Sequence, residues 1–303
     1  EKSVLIIQSY HPNHEWSEQI KHGLEHAFGH STHPKRYYEF LDNERFPNGE
    51  YESKFIEYVA TKYRDIMIDM IVAIDDPAID LVIRARQQLY PTKPVVYGGI
   101  SRVTGRVLNQ HNMSGVFEYR DLTDALNVIH QLLKTEEIIV ISDSTRTGQA
   151  NTTNIRAKES QTPFANIIYA QDVNPGTIQL ILDNTSKDTP IFYVGQLREQ
   201  GISGSLLTID ETIKITQAKV ANPIFSIANG LEPSGAIGYH AVDAEQHAKA
   251  IAQMVLDVLA GQDINTIAPI TEGPNRWVFN AKTLADFGIS TELLPKNSLL
   301  IDH

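Results

Sequence analysis

Asp75 and Asp76 close the apolar run "MIVAI" and are followed at once by Pro77. Adjacent carboxylates can serve as acid, base or metal ligand. One of the two has a structural task, because Asp ahead of Pro is a strong helix start, with Asp at the N-cap and Pro in the first helical position. Asp76 is expected to cap that helix. Asp75 is then left for the ammonium or hydroxyl of a ligand, with Asp76 kept beside it in the candidate site.

A second gathering of side chains lies in "QSYHPNHEW", residues 8–16, where an apolar run hands over to a helical pattern. Tyr10 and Trp16 offer ring faces for stacking or cation–π contact, and His11 offers a hydrogen bond. Trp16 has a competing reading as a core aromatic packed under the first helix. A third stretch, "DSTRTG" at 143–148, sets hydroxyls, a guanidinium and backbone amides ahead of a helix, which suits a carboxylate or phosphate. Ser and Thr are also common caps, so this loop could be purely structural. Ligand contact is expected from at least one of Ser144, Thr145 and Arg146.

Other patterns point away from chemistry. His22, His26 and His30 recur every four residues, but each such step drifts about 40° around a helix of 3.6 residues per turn. They read as an exposed face, not as metal ligands. The chain has no GxxxxGK[ST], GxGxxG, HExxH or GxSxG, and no cysteine, so thiol catalysis and Cys-ligated metals are excluded. No metal and no cofactor is expected. With a net charge of −11 and no concentrated basic run, a nucleic-acid partner is disfavoured. No apolar run approaches the roughly 18–20 residues that span a bilayer.

The elements that must position these residues are legible in the periodicity. Over 303 residues, 42% of them hydrophobic, short β-branched runs alternate with stretches of helical spacing. Strands are expected at "SVLIIQS", "YYEFLD", "DMIVAID", "KPVVYGG" and "SGVFE", with helices at 17–28, 51–63 and 77–89. The series then restarts with "EIIVISD", "NIIYAQ", "TPIFYVG", "NPIFSIA" and "GAIGYH" at a near-constant offset, which predicts two lobes of one topology. Strand alternating with helix is the pattern of a covered parallel sheet. A long amphipathic helix over 243–259 follows the second series and is expected to complete the first lobe. The lobes are thus expected at 1–117 with 241–268, and at 118–240 with 269–303, with a ligand cleft between them.

In parallel sheets ligands gather beyond the carboxyl ends of the strands. The loops there hold Ser9, Tyr10, His11 and Trp16; Asp42 and Asn43; Asp75 and Asp76; Gly98, Gly99 and Ile100; then Asp143, Ser144, Thr145 and Arg146, Gln171 and Asp172, Gly195 and Gln196, and Ser226, Ala228 and Asn229. The candidate ligand-binding set drawn from these and their neighbours is Tyr10, His11, Trp16, Asp75, Asp76, Gly99, Asp143, Ser144, Thr145, Arg146, Gln196 and Tyr239. No residue is nominated as catalytic.

In order, "SYHPNHEW", "AIDDPA", "PVVYGGIS", "SGVFE" and "ISDSTRTG" resemble the periplasmic substrate-binding proteins of ABC importers. The likeness is to the branch whose relatives serve as extracytoplasmic sensor domains of bacterial histidine kinases and diguanylate cyclases. The closing "RWVFNAKTLADFGISTELLPKNSLLI" is similar to the end of those domains, which leads into a membrane helix, and so reads as a stalk. The resemblance covers nearly the whole chain. It implies an α/β, type I periplasmic-binding-protein-like fold, two Rossmann-like lobes with parallel sheets joined by a three-segment hinge. Pro77, where a polar residue often stands, and Gly98, where Cys is frequent, depart from the pattern and bear on ligand identity.

What the resemblance implies is a non-catalytic periplasmic or extracytoplasmic domain that binds a small solute, amino-acid-like in some relatives, and partners a membrane-bound signalling or transport module. A free importer component is the alternative to a sensor domain. Two further readings stand beside these. One is a two-lobed enzyme using Asp75 and His11 as acid and base. The other is a module whose surface binds another protein.

Overall fold

A computed structural model of the chain describes residues 2–29, 34–101, 105–118, 120–200, 204–228 and 235–302, with every side chain among them except that of Arg146. Along the chain come β1 (Ser3–Gln8), α1 (Glu15–Phe28), β2 (Lys35–Phe40), α2 (Gly49–Lys62), β3 (Met70–Ile74), α3 (Asp75–Ala85), β4 (Val95–Ile100), α4 (Gly105–Leu108) and β5 (Met113–Phe117). There follow α5 (Leu122–Leu133), β6 (Glu137–Ser142), α6 (Arg146–Ala157), β7 (Asn166–Gln171), α7 (Ile178–Leu182), β8 (Ile191–Tyr193), α8 (Ile209–Gln217), β9 (Ile224–Ala228) and β10 (Gly238–Val242). The last elements are α9 (Ala244–Leu259), β11 (Asn275–Asn280), α10 (Ala281–Asp286) and β12 (Leu299–Ile301).

The elements form two compact units, Glu1–Arg120 with Asp243–Pro274 and Asp121–Val242 with Asn275–His303. In the first, the sheet order is β2-β1-β3-β4-β5, parallel throughout. Every residue of β1 and β3 is buried, as expected of β-branched strands covered on both faces. Leu5 and Ile7 share a core with Phe55 and Val59 of α2 and with Ile79 and Val82 of α3. Side chains alternate across a strand, so Val4 and Ile6 serve the opposite face. There α9 packs against β4 and α1, and a Cβ added at Gly23 would lie 2.7 Å from that of Ala248.

The second unit has the sheet order β12-β11-β10-β9-β8-β6-β7. Ile138, Val140, Phe192, Phe225 and Phe279 join α5 on one face, while Ile139, Ile141, Tyr193, Ile224 and Val278 face Ile178 of α7 and Ile213 of α8. The strand order matches the first sheet pairwise, β6 standing for β1, β7 for β2, β8 for β3, β9 for β4 and β10 for β5.

Two sequence expectations are corrected here. The second sheet is not wholly parallel, because β11 runs antiparallel to β10. The chain leaves β10 at Val242 and returns at Asn275, its register partner, so the returning strand has to run backwards. Also, the segment read as a stalk is built into the sheet. Trp277 and Phe279 enter the core, and Val278 is in register with Leu299 of β12.

Candidate functional site

The carboxyl ends of β1, β3, β4 and β5 bring Tyr10, Trp16, Asp75, Gly99 and Glu118 into one neighbourhood of the first unit. Asp75 follows β3 directly and begins α3 in the left-handed region, with φ 69°. Asp tolerates this conformation better than most residues, and strain of this kind gathers at functional positions.

The expected N-cap is not where the sequence put it. Ser9, one residue past β1, donates from Oγ to the Ile74 carbonyl at 2.7 Å and accepts the Ala78 N–H at 2.8 Å. A hydroxyl from the neighbouring strand therefore satisfies the helix end, and Asp76 does not cap it. The Asp76 carboxylate instead accepts from Ser101 Oγ at 2.9 Å and from Arg106 at 2.8 Å, while Arg106 also contacts Asp80.

Asp75 is 4% exposed. Its Oδ1 accepts the indole N–H of Trp16 at 2.9 Å, and its Oδ2 has no hydrogen-bond partner among the described residues. Gly99 has φ +73°, and any Cβ there would collide with Asp75 Oδ1, so close approach and backbone conformation both demand glycine. The Gly99 N–H donates to His247 Nε2 at 2.8 Å. His247 is fully buried on α9, meeting Trp16 edge-on with ring centroids 5.9 Å apart. Burial brings its pKa down to about 4. It is therefore neutral at pH 7, Nε2 accepting and Nδ1 carrying the proton.

The carboxyl groups pull the other way. Burial lifts the Asp75 pKa well above the ordinary range, Glu118 adds to the lift, and the Trp16 hydrogen bond only opposes it. Burial likewise pushes Glu118 to about 7, partly offset by Arg120 at 3.9 Å. Tyr10 stacks on His14 at 4.4 Å, and His14 in turn meets His11 edge-on at 5.8 Å. Burial and the charges of Asp75 and Glu118 raise the Tyr10 hydroxyl pKa, so the phenol stays neutral. Trp16 is enclosed, as the core reading expected, yet its one polar atom is spent on Asp75.

In the second unit the candidate residues are committed to one another. Asp143 accepts the Thr145 N–H at 2.9 Å, the Thr145 hydroxyl, and the Gln196 N–H at 2.9 Å. Thr145 caps α6 through Gly148 N–H at 3.1 Å. The Ser144 N–H donates to Asp172 at 2.9 Å, and its hydroxyl accepts from Arg198, which also holds Asp172 at 2.7 Å. Tyr239 lies inside the core of this unit. The Arg146 side chain, Asn229 and His30 lie outside what the structure describes. His22 and His26 are paired rings 6.5 Å apart, with His26 3.4 Å from Glu245. Among the described residues no three His, Cys, Asp or Glu could hold a metal, and no helix is long and apolar enough to cross a membrane.

Sequence reasoning missed two members of the first-unit cluster. Glu118 sits in the quoted "SGVFE", where its position one past a strand end was the available signal. His247 carried none, being one polar residue in a long amphipathic helix far along the chain.

No family model matches the chain, and no curated protein matches it by sequence. Solved structures do. A substrate-binding protein with adhesive properties from Clostridium difficile, in its ligand-free open form, is 15% identical over 100% of this chain and 99% of its own, with a TM-score of 0.71. An ABC domain from Streptococcus pneumonia in complex with L-Trp is 15% identical over 99% of this chain and 100% of its own, with a TM-score of 0.62. An arabinose-binding protein from Geobacillus stearothermophilus is 11% identical over 96% and 100%, with a TM-score of 0.59. At these identities the likeness is one of fold, and it agrees with the repeated topology: the chain has a type I periplasmic-binding-protein-like fold, mixed α/β, with two lobes built on largely parallel sheets.

Proposed function

We propose that this chain is a non-catalytic solute-binding domain working outside the cytoplasmic membrane, whose lobes close on a small molecule and pass that closure on to a membrane partner. The observation that carries this reading is Asp75. A buried carboxyl group keeps one oxygen without a partner among the described residues, at the carboxyl end of a parallel sheet, where such folds take their ligands. An unpaired buried acceptor is costly, and a ligand donor would relieve that cost. The carboxylate is bonded to an indole N–H, a group without acid–base chemistry at neutral pH, which favours binding over turnover. The full-length likeness in fold to binding proteins, one holding L-Trp and one named for arabinose, supports the same reading.

Within it, the motif order of the sequence favours the sensor domain of a membrane-bound histidine kinase or diguanylate cyclase. The likeness to importer-type binding proteins favours a free importer component as the second reading. A reading frame that continues past His303 into a membrane span supports the sensor, and a stop codon there supports the importer component. Solute binding itself is tested by a thermal-shift screen of the purified chain, backed by native mass spectrometry for a co-purified molecule. A solute at about 100 times its dissociation constant stabilises the protein by roughly 2.7 kcal/mol. Turnover of the bound molecule would overturn the non-catalytic reading.

A further inference from the structure

We propose that the solute carries a cationic N–H donor, an ammonium or its equivalent, and that this group docks on Asp75 Oδ2 beside the ring of Tyr10. The inference rests on the solute-binding reading and adds the chemical class of the ligand. It begins from two unusual features of one residue. Asp75 holds a left-handed backbone conformation at the head of an eleven-residue helix, and its carboxylate is 4% exposed with Oδ2 unpaired among the described residues.

The neighbours determine what can fill that position. Oδ1 is taken by Trp16 and roofed by Gly99. His247 cannot supply a counter-charge, because its Nε2 is committed to the Gly99 N–H and the ring is neutral. Asp76, on the same helix, adds negative charge, and Arg106 of α4 is already divided between Asp76 and Asp80. Glu118, beyond β5, adds a second partly buried carboxyl, with Arg120 at 3.9 Å directed to it. From the β1–α1 loop come Tyr10 and His14, stacked on each other.

Both arginines here, Arg106 and Arg120, are directed to carboxyl groups, so among the described residues an anion finds no counter-charge set aside for it. A neutral hydroxyl can meet Oδ2 while Asp75 keeps its proton, but it gains no charge pairing. A cation meets Oδ2 and pairs with the carboxylate formed as the proton leaves, and the partly buried Tyr10 ring offers it a cation–π face. Because burial and Glu118 favour the protonated Asp75 in the empty site, docking of the cation expels a proton, so affinity rises with pH.

The test uses the full chain at pH 6 and pH 8. Thermal-shift and calorimetric titrations are run with the common L-amino acids, putrescine and agmatine, against counterparts that lack the nitrogen, such as indole-3-propionate for L-tryptophan. Arabinose and myo-inositol represent neutral solutes. The expected result is binding confined to nitrogen cations, tighter at pH 8, and lost roughly 100-fold on deamination of the ligand or in Asp75→Asn. Glu57→Gln on the exposed face of α2 controls for loss of one negative charge and should bind as the wild type does. Equal binding of a deaminated or sugar probe overturns the cation assignment and leaves the solute-binding reading standing. An equal loss in Glu57→Gln also overturns it. No shift with any probe overturns both readings. Discrimination between L-tryptophan and its deaminated counterpart is read on the wild type, so the assignment stays testable even if Asp75→Asn fails to fold.

Discussion

Asp75 in the first unit and Asp143 in the second are both buried carboxylates at the carboxyl end of a parallel sheet, and each owes its place to glycine. Gly99 gives its side-chain space to Asp75, and Gly195 gives its own to Asp143, whose Oδ2 would lie 2.5 Å from an added Cβ. From there they diverge. Asp143 accepts two backbone N–H groups and a hydroxyl, tying the β6 loop to the β8 loop. Asp75 accepts one indole N–H and holds Oδ2 in reserve. The same architecture thus uses one acidic residue as a brace and leaves the other unsatisfied. Asp42 and Asp172 show that pairing is the ordinary outcome. They follow the equivalent strands β2 and β7, both have positive φ, and each is held by an arginine, Arg45 or Arg198. Against that background Asp75, with no cationic partner at Oδ2 among the described residues, is the exception.

The largest effect is expected at Gly99. Replacing it with Ala imposes left-handed strain of about 1–2 kcal/mol and overpacking of about 1–3 kcal/mol against Asp75. Gly195→Ala meets crowding alone, so urea unfolding should show a smaller loss for Gly195→Ala than for Gly99→Ala. The reverse order would mean that Asp75 yields more easily than the Asp143 backbone nitrogen, 2.6 Å from a Cβ added at Gly195. Next comes Asp143→Ala. It strands the Thr145 and Gln196 N–H groups, and a hydrogen bond to a charged group is worth about 1.5–3 kcal/mol. We expect a loss of about 2–3 kcal/mol in the same titration. Asp75→Ala forfeits only the Trp16 bond and removes a costly buried acid, so it should be the milder of the two. If it proves the more damaging, Asp75 is a structural brace after all.

The difference between the two regions explains what could be read in advance. The strands were legible because β-branched runs such as "VLII" and "EIIVIS" announce themselves locally. The division into units followed from the repetition of those runs. The antiparallel β11 was not legible, since it depends on the chain re-entering the second unit at the end it left. Asp75 was separable from Asp76 on the argument that only one of them was needed as a cap. The capping half of that argument fails, because the hydroxyl at the helix end is that of Ser9, sixty-odd residues away in sequence and adjacent only through the pairing of β1 with β3. The commitment of Asp143, Ser144 and Thr145 to internal hydrogen bonds was equally hidden, as their partners Gln196 and Arg198 arrive from a distant loop. His247 reaches the cluster only because α9 returns to the first unit.

The smallest expected effect is also the most discriminating, since it has opposite signs in the two units. Asp75 has a folded-state pKa above its unfolded value, owing first to burial and then to Glu118. The folded state therefore holds its proton more tightly. That contribution to stability is complete below the unfolded value of about 3.9 and is lost as pH rises through the folded value. Asp172 is the reverse case. Burial alone would raise it, but the hydrogen bonds from Arg198 and Ser144 win and lower it. Its contribution is present above the unfolded value and disappears as pH falls through the folded one. Thermal melts between pH 4 and pH 8 should therefore show Asp75→Asn gaining on the wild type as pH rises. Asp172→Asn should lose most near neutrality and recover toward the wild type in acid. Differences of a few degrees are expected, since ~1 kcal/mol moves the midpoint of a domain of this size by about 2–4 °C. Slopes of the same sign would show that Asp75 is paired in solution, by a bound ion or an ordered donor, and would remove the contrast on which the candidate site rests.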